Sequence, residues 1–293
     1  MRRLLLLLMI LVCLLPAFSV QAEQTKIDME HYLLIGVDGW GINKEGGARS
    51  DAIMLVSLDY GRDRITFTSF ARDSIVTPAN RRNPVKLNTL VRSAEGEQAL
   101  INYIEEAFCV PISGHFIINF SGTVDLINAV GGVKIALSQA EADYIHQEAG
   151  PYAGYPTHEG ECLLNGAQAL CYMRCRGLDN DFGRQGRQGK VLRELVNRLS
   201  DITPIKALLM VDDVLGMYRS SLTVGAQFEL AIKALALRDA QVGMHSVPAE
   251  GTYHYGADSH GASGLMFNLE ENRALLFEWL GIPGLTAAHD AKK

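Results

Sequence analysis

The sequence predicts an α/β fold built as an α-β-α sandwich, and three features carry that expectation. Strand-like apolar runs recur along the chain at His31–Val37, Ala52–Leu58, Arg64–Phe70, Gly114–Phe120, Val133–Leu137 and Ala169–Arg176. Between and after them lie stretches with the 3.6-residue periodicity of amphipathic helices. No internal repeat and no linker rich in Gly, Pro or Ser divides the 293 residues, so a single domain over 28–282 is expected.

From the N-terminus, Arg2-Arg3 precede an almost unbroken apolar run, Leu4–Leu15, closed by Pro16. Val20-Gln21-Ala22 then reads as a small-residue cleavage site. Residues 1–22 therefore have the form of a secretory signal peptide, with a retained anchor as the alternative. The run is short for a spanning helix, which needs about 20 apolar residues. Val12 before Cys13 is not the small residue a lipoprotein signal requires.

The helices follow in order. Glu97–Phe108 is amphipathic and ends before Pro111. Ser121 is the expected cap of a helix running to Val130, stopped by Gly131-Gly132. Ser138, with Glu141 three residues on, forms a capping box for a third. Gly183–Leu199 reads as a long helix, and Pro204–Met217, Val224–Arg238 and Leu269–Leu280 complete the set. Tyr253–Gly264 is Gly-rich. It carries His254, Asp258 and His260, which read as polar surface-loop residues rather than a metal site. Residues 283–293 form a polar, loose tail.

Composition narrows the function. The chain is 48% hydrophobic and 20% charged, as a globular protein is. With 27 basic and 33 acidic residues its formal charge is −6, so general affinity for nucleic acid is not expected. Cys109, Cys162, Cys171 and Cys175 fit no zinc spacing. If Cys171 and Cys175 share a strand they stand about 13 Å apart, too far to bond. Cys162 with Cys171 or Cys109 stays open, as does a role as small buried hydrophobes. No nucleophile elbow, Ser-His-Asp set or nucleotide P-loop is present.

The chemistry concentrates where Arg and Asp meet strand ends, which is where α/β sheets bind ligands. Asp38 ends the first strand, Arg49-Ser50-Asp51 opens the second, and Arg72-Asp73 follows the third. Arg174 and Arg176, read as strand residues, project from one face about 6.6 Å apart. Two guanidinium groups so placed repel unless an anion such as phosphate or pyrophosphate lies between them. Arg184, Arg187 and Gln188 share one side of the following helix, whose N-terminus lies near Asp181–Gly183. Carboxylates that hold Mg²⁺ beside arginines that hold oxygens suit a metal-bound diphosphate, and salt bridges that lock loop bases are the alternative.

These blocks resemble the LytR-CpsA-Psr family. Leu34–Asp38, Arg49–Leu55, Ser69–Asp73, Lys86-Leu87-Asn88, Asn165–Leu170, Tyr172–Arg176 and Asp181–Gln188 occur in the family's order over about residues 30–282. The resemblance implies a central mixed sheet flanked by helices. It also implies a Mg²⁺-dependent phosphotransferase outside the cell membrane, secreted or held at the membrane/cell-wall interface. Such an enzyme moves a glycopolymer (teichoic acid or capsular polysaccharide) from a polyprenyl-pyrophosphate carrier to a peptidoglycan hydroxyl. By position, Asp38 and Asp51 match metal ligands, and Arg49, Arg72, Lys86, Arg174, Arg176 and Gln188 match groups around the pyrophosphate. Asp181 matches the base near the acceptor, and Asp73 and Arg184 match further motif residues. The carrier's tail requires an apolar tunnel, for which the helices around Ala99–Phe108, Val124–Val130 and Val191–Leu199 are the candidates, although core residues look the same. Ala71 stands where the family usually has Pro, and the stretch after Asn88 lacks the usual aromatic and paired glycines. A hydrolase of polyprenyl pyrophosphate and a non-catalytic binding protein for the lipid are the alternatives.

Overall fold

The computed structural model describes residues 28–37, 49–149, 156–175, 177–179, 181–200, 216–237 and 239–283. The expected signal peptide at 1–22, all but the first residue of the expected tail at 283–293, and most of the helix expected at Pro204–Met217 lie outside the described residues. So do Asp38 and Arg176.

The central sheet has six strands: β1 (Met29–Val37), β2 (Ser50–Asp59), β3 (Arg64–Phe70), β6 (Gly114–Ile118), β9 (Tyr218–Ser220) and β10 (Gln241–Val247). Their order across the sheet is β10-β3-β2-β1-β6-β9. The sheet is mixed. β1 and β2 pair antiparallel, as do β2 and β3, and β6 and β9. β1 with β6 and β3 with β10 are parallel. Three two-stranded pieces flank it: β4 (Ile75–Val76) with β5 (Val85–Lys86), β7 (Val133–Leu137) with β8 (Gly160–Leu164), and β11 (Tyr253–Ala257) with β12 (Ser263–Phe267).

Period-two alternation divides the sheet between two layers. Leu33 and Ile35 of β1, Ile53 and Leu55 of β2, and Ile117 of β6 point to one side. There they pack on α1 (Glu97–Phe108), α7 (Leu269–Leu280) and the 3-10 turn Leu87–Arg92. All five are buried, each contributing about 1.5–3 kcal/mol over leaving it exposed. The intervening residues Leu34, Ala52, Met54, Phe116 and Ile118 point to the opposite side. That layer holds α2 (Phe120–Ala129), α3 (Gln139–Glu148), α4 (Gly166–Arg174), α5 (Asp181–Ser200) and α6 (Val224–Ala236).

Local signals explain most boundaries. α1 and α7 have the limits the sequence predicts, α7 stopping at Gly281 in the left-handed region. The Ser138/Glu141 capping box opens α3 as expected. α2 starts earlier than expected. Its cap is Asn119, whose side chain accepts from the Gly122 amide at 2.8 Å, and Ser121 donates to that same Asn119 oxygen.

Three expectations are corrected. Ala169–Arg176 is not a strand. Residues Gly166–Arg174 form helix α4, nucleated by a capping box in which Asn165 and Gln168 bond each other's backbone amides. That reciprocal cap outweighs the short alternation of Tyr172–Arg176, so Arg174 is a helix residue and the strand on which its expected pairing with Arg176 rested is not formed there. Cys171 and Cys175 accordingly lie one helical turn apart rather than along a strand, and all four described cysteines are free thiols. Burial pushes the Cys171 thiol up to about 11. Finally, Tyr253–Gly264 is largely the β11–β12 hairpin. Asp258 accepts from the amides of His260 and Ala262 at its turn, while no metal-holding cluster of His, Cys, Asp and Glu occurs among the described residues.

Candidate active site

The sheet face turned toward α2, α4 and α5 is not filled. A cavity of about 390 Å³ lies between them. Leu34, Met54 and Phe116 form its floor, and Leu126, Ile127, Met173, Val191 and Leu195 form its walls. Small residues open it at the strand ends: Gly36 and Ala52 face each other so closely that a Cβ on Gly36 would sit 3.0 Å from that of Ala52. The apolar lining is the alternating half of β1, β2 and β6 that the opposite core does not use.

Of the three helical stretches expected to line a tunnel, Val124–Val130 and Val191–Leu199 do so in part. Ala99–Phe108 does not. It lies across the sheet, where Leu100, Ile101, Ile104 and Phe108 fill the core. Sequence periodicity marks an apolar helix face but not the side of the sheet it covers.

Polar groups gather at one end of the cavity. Asp51, Arg174, Arg184 and Gln188 all line it. Asp51 sits one residue into β2. Arg174 ends α4 with its guanidinium carbon 4.2 Å from the centre of the Phe120 ring, a cation–π contact that fixes the charge at the rim. Arg184 and Gln188 stand one turn apart on the first half of α5, Arg184 deeply buried.

Asp51 also leads away from the cavity into a charged chain. The Arg72 guanidinium bonds its carboxylate. Arg72 Nε lies 3.4 Å from Asp73, and Lys86 Nζ donates to Asp73 at 3.1 Å. The turn after β3 and the β4–β5 ladder thus present Arg72, Asp73 and Lys86 beside the rim. Arg49 is exposed just before β2. Asp181 starts α5, but its side chain lies outside the described residues.

An unforeseen pair organises this end. Arg187 is only 3% exposed. Its guanidinium takes both oxygens of Asp179, each at 2.7 Å, and donates to the Cys175 carbonyl at 2.7 Å. These bonds hold the Asp179 carboxyl below its ordinary value and the Arg187 guanidinium above its own. Arg187 therefore ties the C-terminal end of α4, beside Arg174, to the first turns of α5. Gly183 makes the arrangement possible, because a Cβ there would fall 2.0 Å from Asp179 Oδ2. The sequence shows Arg187 on the face of Arg184, but only the chain's path around Asp179 shows that it points inward to a carboxylate.

An apolar slot ending in arginines, an amide and a carboxylate has the chemistry to hold an amphiphile with an anionic head. Two kinds of comparison bear on this arrangement. Among curated proteins, TagU of Bacillus subtilis, named a polyisoprenyl-teichoic acid–peptidoglycan teichoic acid transferase, is 26% identical over 84% of this chain and 79% of its own. TagU of Oceanobacillus iheyensis is 29% identical over 64% of this chain and 57% of its own. TagV of Bacillus subtilis is 30% identical over 59% and 44%. The chain thus spans about half to two thirds of the length of several of these relatives. Among solved structures, the crystal structure of B. subtilis TagV has a TM-score of 0.69 at 22% identity, covering 88% of this chain and 100% of that one. A structure titled TagT bound to LI-WTA has a TM-score of 0.69 at 22% identity, covering 87% and 91%. The model of the LytR_cpsA_psr family matches residues 17–273, a stretch that includes every element of the cavity and its polar rim, and the chain belongs to that family.

Proposed function

We propose that this protein is an extracytoplasmic, Mg²⁺-dependent phosphotransferase that moves a glycopolymer from a polyprenyl-pyrophosphate carrier to a hydroxyl of peptidoglycan. One observation carries the reading: an apolar cavity of about 390 Å³ ends in Asp51, Arg174, Arg184 and Gln188. Such a cavity takes a hydrocarbon chain, and its rim takes a pyrophosphate. The names of the TagU and TagV relatives support the same reaction class. The apolar N-terminal run supports placement at the outer face of the membrane.

The chemistry follows from alignment and charge. The acceptor hydroxyl oxygen attacks the phosphorus that bears the glycopolymer. The bond between that phosphorus and the bridging oxygen breaks, and polyprenyl phosphate departs with the electron pair. Arg174 and Arg184 stabilise negative charge on the phosphate oxygens, and Gln188 orients them. Arg72, held between Asp51 and Asp73, adds a fixed positive charge beside the rim. Asp181 accepts the proton of the attacking hydroxyl. Asp51, with Asp38, supplies the hard oxygen donors that Mg²⁺ prefers, and one or two carboxylates with substrate phosphate are the usual set. When bound, the ion neutralises pyrophosphate charge.

The test is transfer itself. The protein is mixed with a polyprenyl-pyrophosphate-linked oligosaccharide, peptidoglycan glycan strands and Mg²⁺, and products are read by mass spectrometry. A glycan–phosphate–glycan ester that disappears in Asp181→Asn is expected. Release of free glycan phosphate alone would make the protein a hydrolase. Tight binding with no turnover would make it a lipid-binding protein.

A further inference from the structure

Outside the cavity, three aromatic rings that run from the start of α5 to the surface have no part in the chemistry described so far. Phe182 directly follows Asp181. Its ring stacks on Tyr253 of β11 with centroids 5.0 Å apart and planes 24° apart. Tyr253 in turn meets Tyr255 edge to face, at 6.2 Å and 89°. Tyr253 and Tyr255 are two residues apart on one strand, so their side chains share a face of the hairpin. Tyr255 is 70% exposed, the most exposed of the large apolar side chains among the described residues.

The hairpin bearing these tyrosines is fastened to the charged chain beside the cavity. The Leu265 amide of β12 donates to the Asp73 carbonyl at 3.0 Å, and the Ser259 amide donates to the Pro84 carbonyl at 3.0 Å. Gly264 permits the approach, since a Cβ there would lie 2.4 Å from the Asp73 carbonyl oxygen. Asp73 carries the bonds to Lys86 and Arg72. The rings are thus placed by the same turn that positions Arg72, and by the residue next to Asp181.

From this placement we infer that Phe182, Tyr253 and Tyr255 form the ledge on which a sugar ring of the acceptor glycan rests. The inference depends on the reading of Asp181 as the base that meets the acceptor hydroxyl. The perpendicular rings of Tyr253 and Tyr255 make a corner with one apolar face and two phenol tips. A pyranose matches that shape: its axial C–H bonds form a flat apolar face, and its hydroxyls ring the edge. Aromatic side chains that are apolar in body and polar at the tip serve such half-wet contacts at low entropic cost. The ledge carries no charge, as suits a neutral acceptor sugar beside a site whose cations serve the phosphates. It would hold the sugar by its face while leaving one hydroxyl free to reach the phosphorus.

The test titrates the full-length protein with a β-1,4-linked N-acetylglucosamine tetramer as probe, followed by NMR shifts of the tyrosine ring protons. The wild type is expected to bind in the millimolar range. Tyr255→Ala should weaken binding roughly 3- to 10-fold, the range of a lost aromatic contact, while Tyr255→Phe retains most of it. In the transfer assay, Tyr255→Ala should raise the acceptor KM by a similar factor with a smaller change in kcat. A wild type that shows no ring shifts with the probe, or a Tyr255→Ala that binds as tightly as wild type, would overturn the inference. Because Tyr255 is exposed, its truncation should leave the fold intact, which an unchanged Tm verifies. Binding of polyprenyl pyrophosphate is measured separately on the wild type. If it fails while the glycan still binds, the transferase reading falls and the sugar site stands.

Discussion

Replacing Arg187 should loosen the polar rim without touching a substrate. The guanidinium is buried and makes three bonds of 2.7 Å, two to Asp179 and one to the Cys175 carbonyl. A hydrogen bond to a charged group contributes about 1.5–3 kcal/mol, and breaking a buried pair costs about 3–5 kcal/mol. The Asp179 side chain is 38% exposed and regains water once freed, which places Arg187→Ala near the lower limit, about 3 kcal/mol. At about 2–4 °C per kcal/mol for a domain of this class, Tm should fall by about 6–12 °C. Arg187→Lys keeps the charge but loses the two-pronged geometry, and should cost about half as much. Asp179→Ala made on top of Arg187→Ala should add little, giving a coupling of about 1.5–2 kcal/mol in a double-mutant cycle. The assays are thermal and urea unfolding of five proteins (wild type, Arg187→Ala, Arg187→Lys, Asp179→Ala and the Arg187→Ala/Asp179→Ala double variant), with titration of a polyprenyl pyrophosphate. Because Arg187 anchors the end of α4 beside Arg174, affinity for the pyrophosphate should fall about tenfold in Arg187→Ala even at temperatures where the fold is intact. Single replacements that cost under about 0.5 kcal/mol, or costs that simply add, would refute the tether.

Further outcomes follow from the same geometry. Gly183→Ala should destabilise by about 2 kcal/mol in thermal unfolding, since its Cβ would meet Asp179 Oδ2 at 2.0 Å, and Asp179→Ala in the same chain should relieve most of that cost. Burial holds the His31 imidazole down to about 4, with Ser57 Oγ 2.8 Å from its Nδ1. A folded value below the unfolded one means this contribution is complete above about pH 6.5 and is lost as pH falls toward 4. It amounts to about 3 kcal/mol, so urea unfolding of His31→Gln should show a flatter pH dependence across that window. Leu126→Trp should fill part of the cavity. Binding of a long-chain polyprenyl phosphate should weaken at least tenfold, while a short-chain isoprenyl pyrophosphate still binds and Tm changes little, about 2 °C at most.

Much of this architecture is legible in the chain because local chemistry and global fold agree. The limits of α1 and α7, the Ser138/Glu141 box and the runs of β1, β2 and β3 all follow from periodicity and caps. The same capping rule is written at Asn165 and Gln168, where it competes with an alternating Tyr-Met-Arg-Cys-Arg run, and the cap wins. Strand β10 escapes periodicity because Gln241–Val247, with its Gly, His and Ser, is half-buried on an edge. The rim residues Asp51, Arg174, Arg184 and Gln188 are readable as charged or polar groups at the ends of elements. Their meeting at one cavity is not, because alternation marks Leu34, Met54 and Phe116 as apolar without telling a filled face from an open one. Nor does sequence show Arg187 turned inward, since the bend that brings Asp179 to it spans a loop with no periodic signal.

The central claim is that the apolar cavity holds a prenyl chain with its phosphates at the arginine rim. Native mass spectrometry with lipid extraction, on the protein purified from cells, tests it most directly. The account predicts a co-purifying polyprenyl phosphate or pyrophosphate that is retained by the wild type and lost from Arg174→Ala/Arg184→Ala. A protein that emerges without lipid and ignores added polyprenyl pyrophosphate with Mg²⁺ would contradict it.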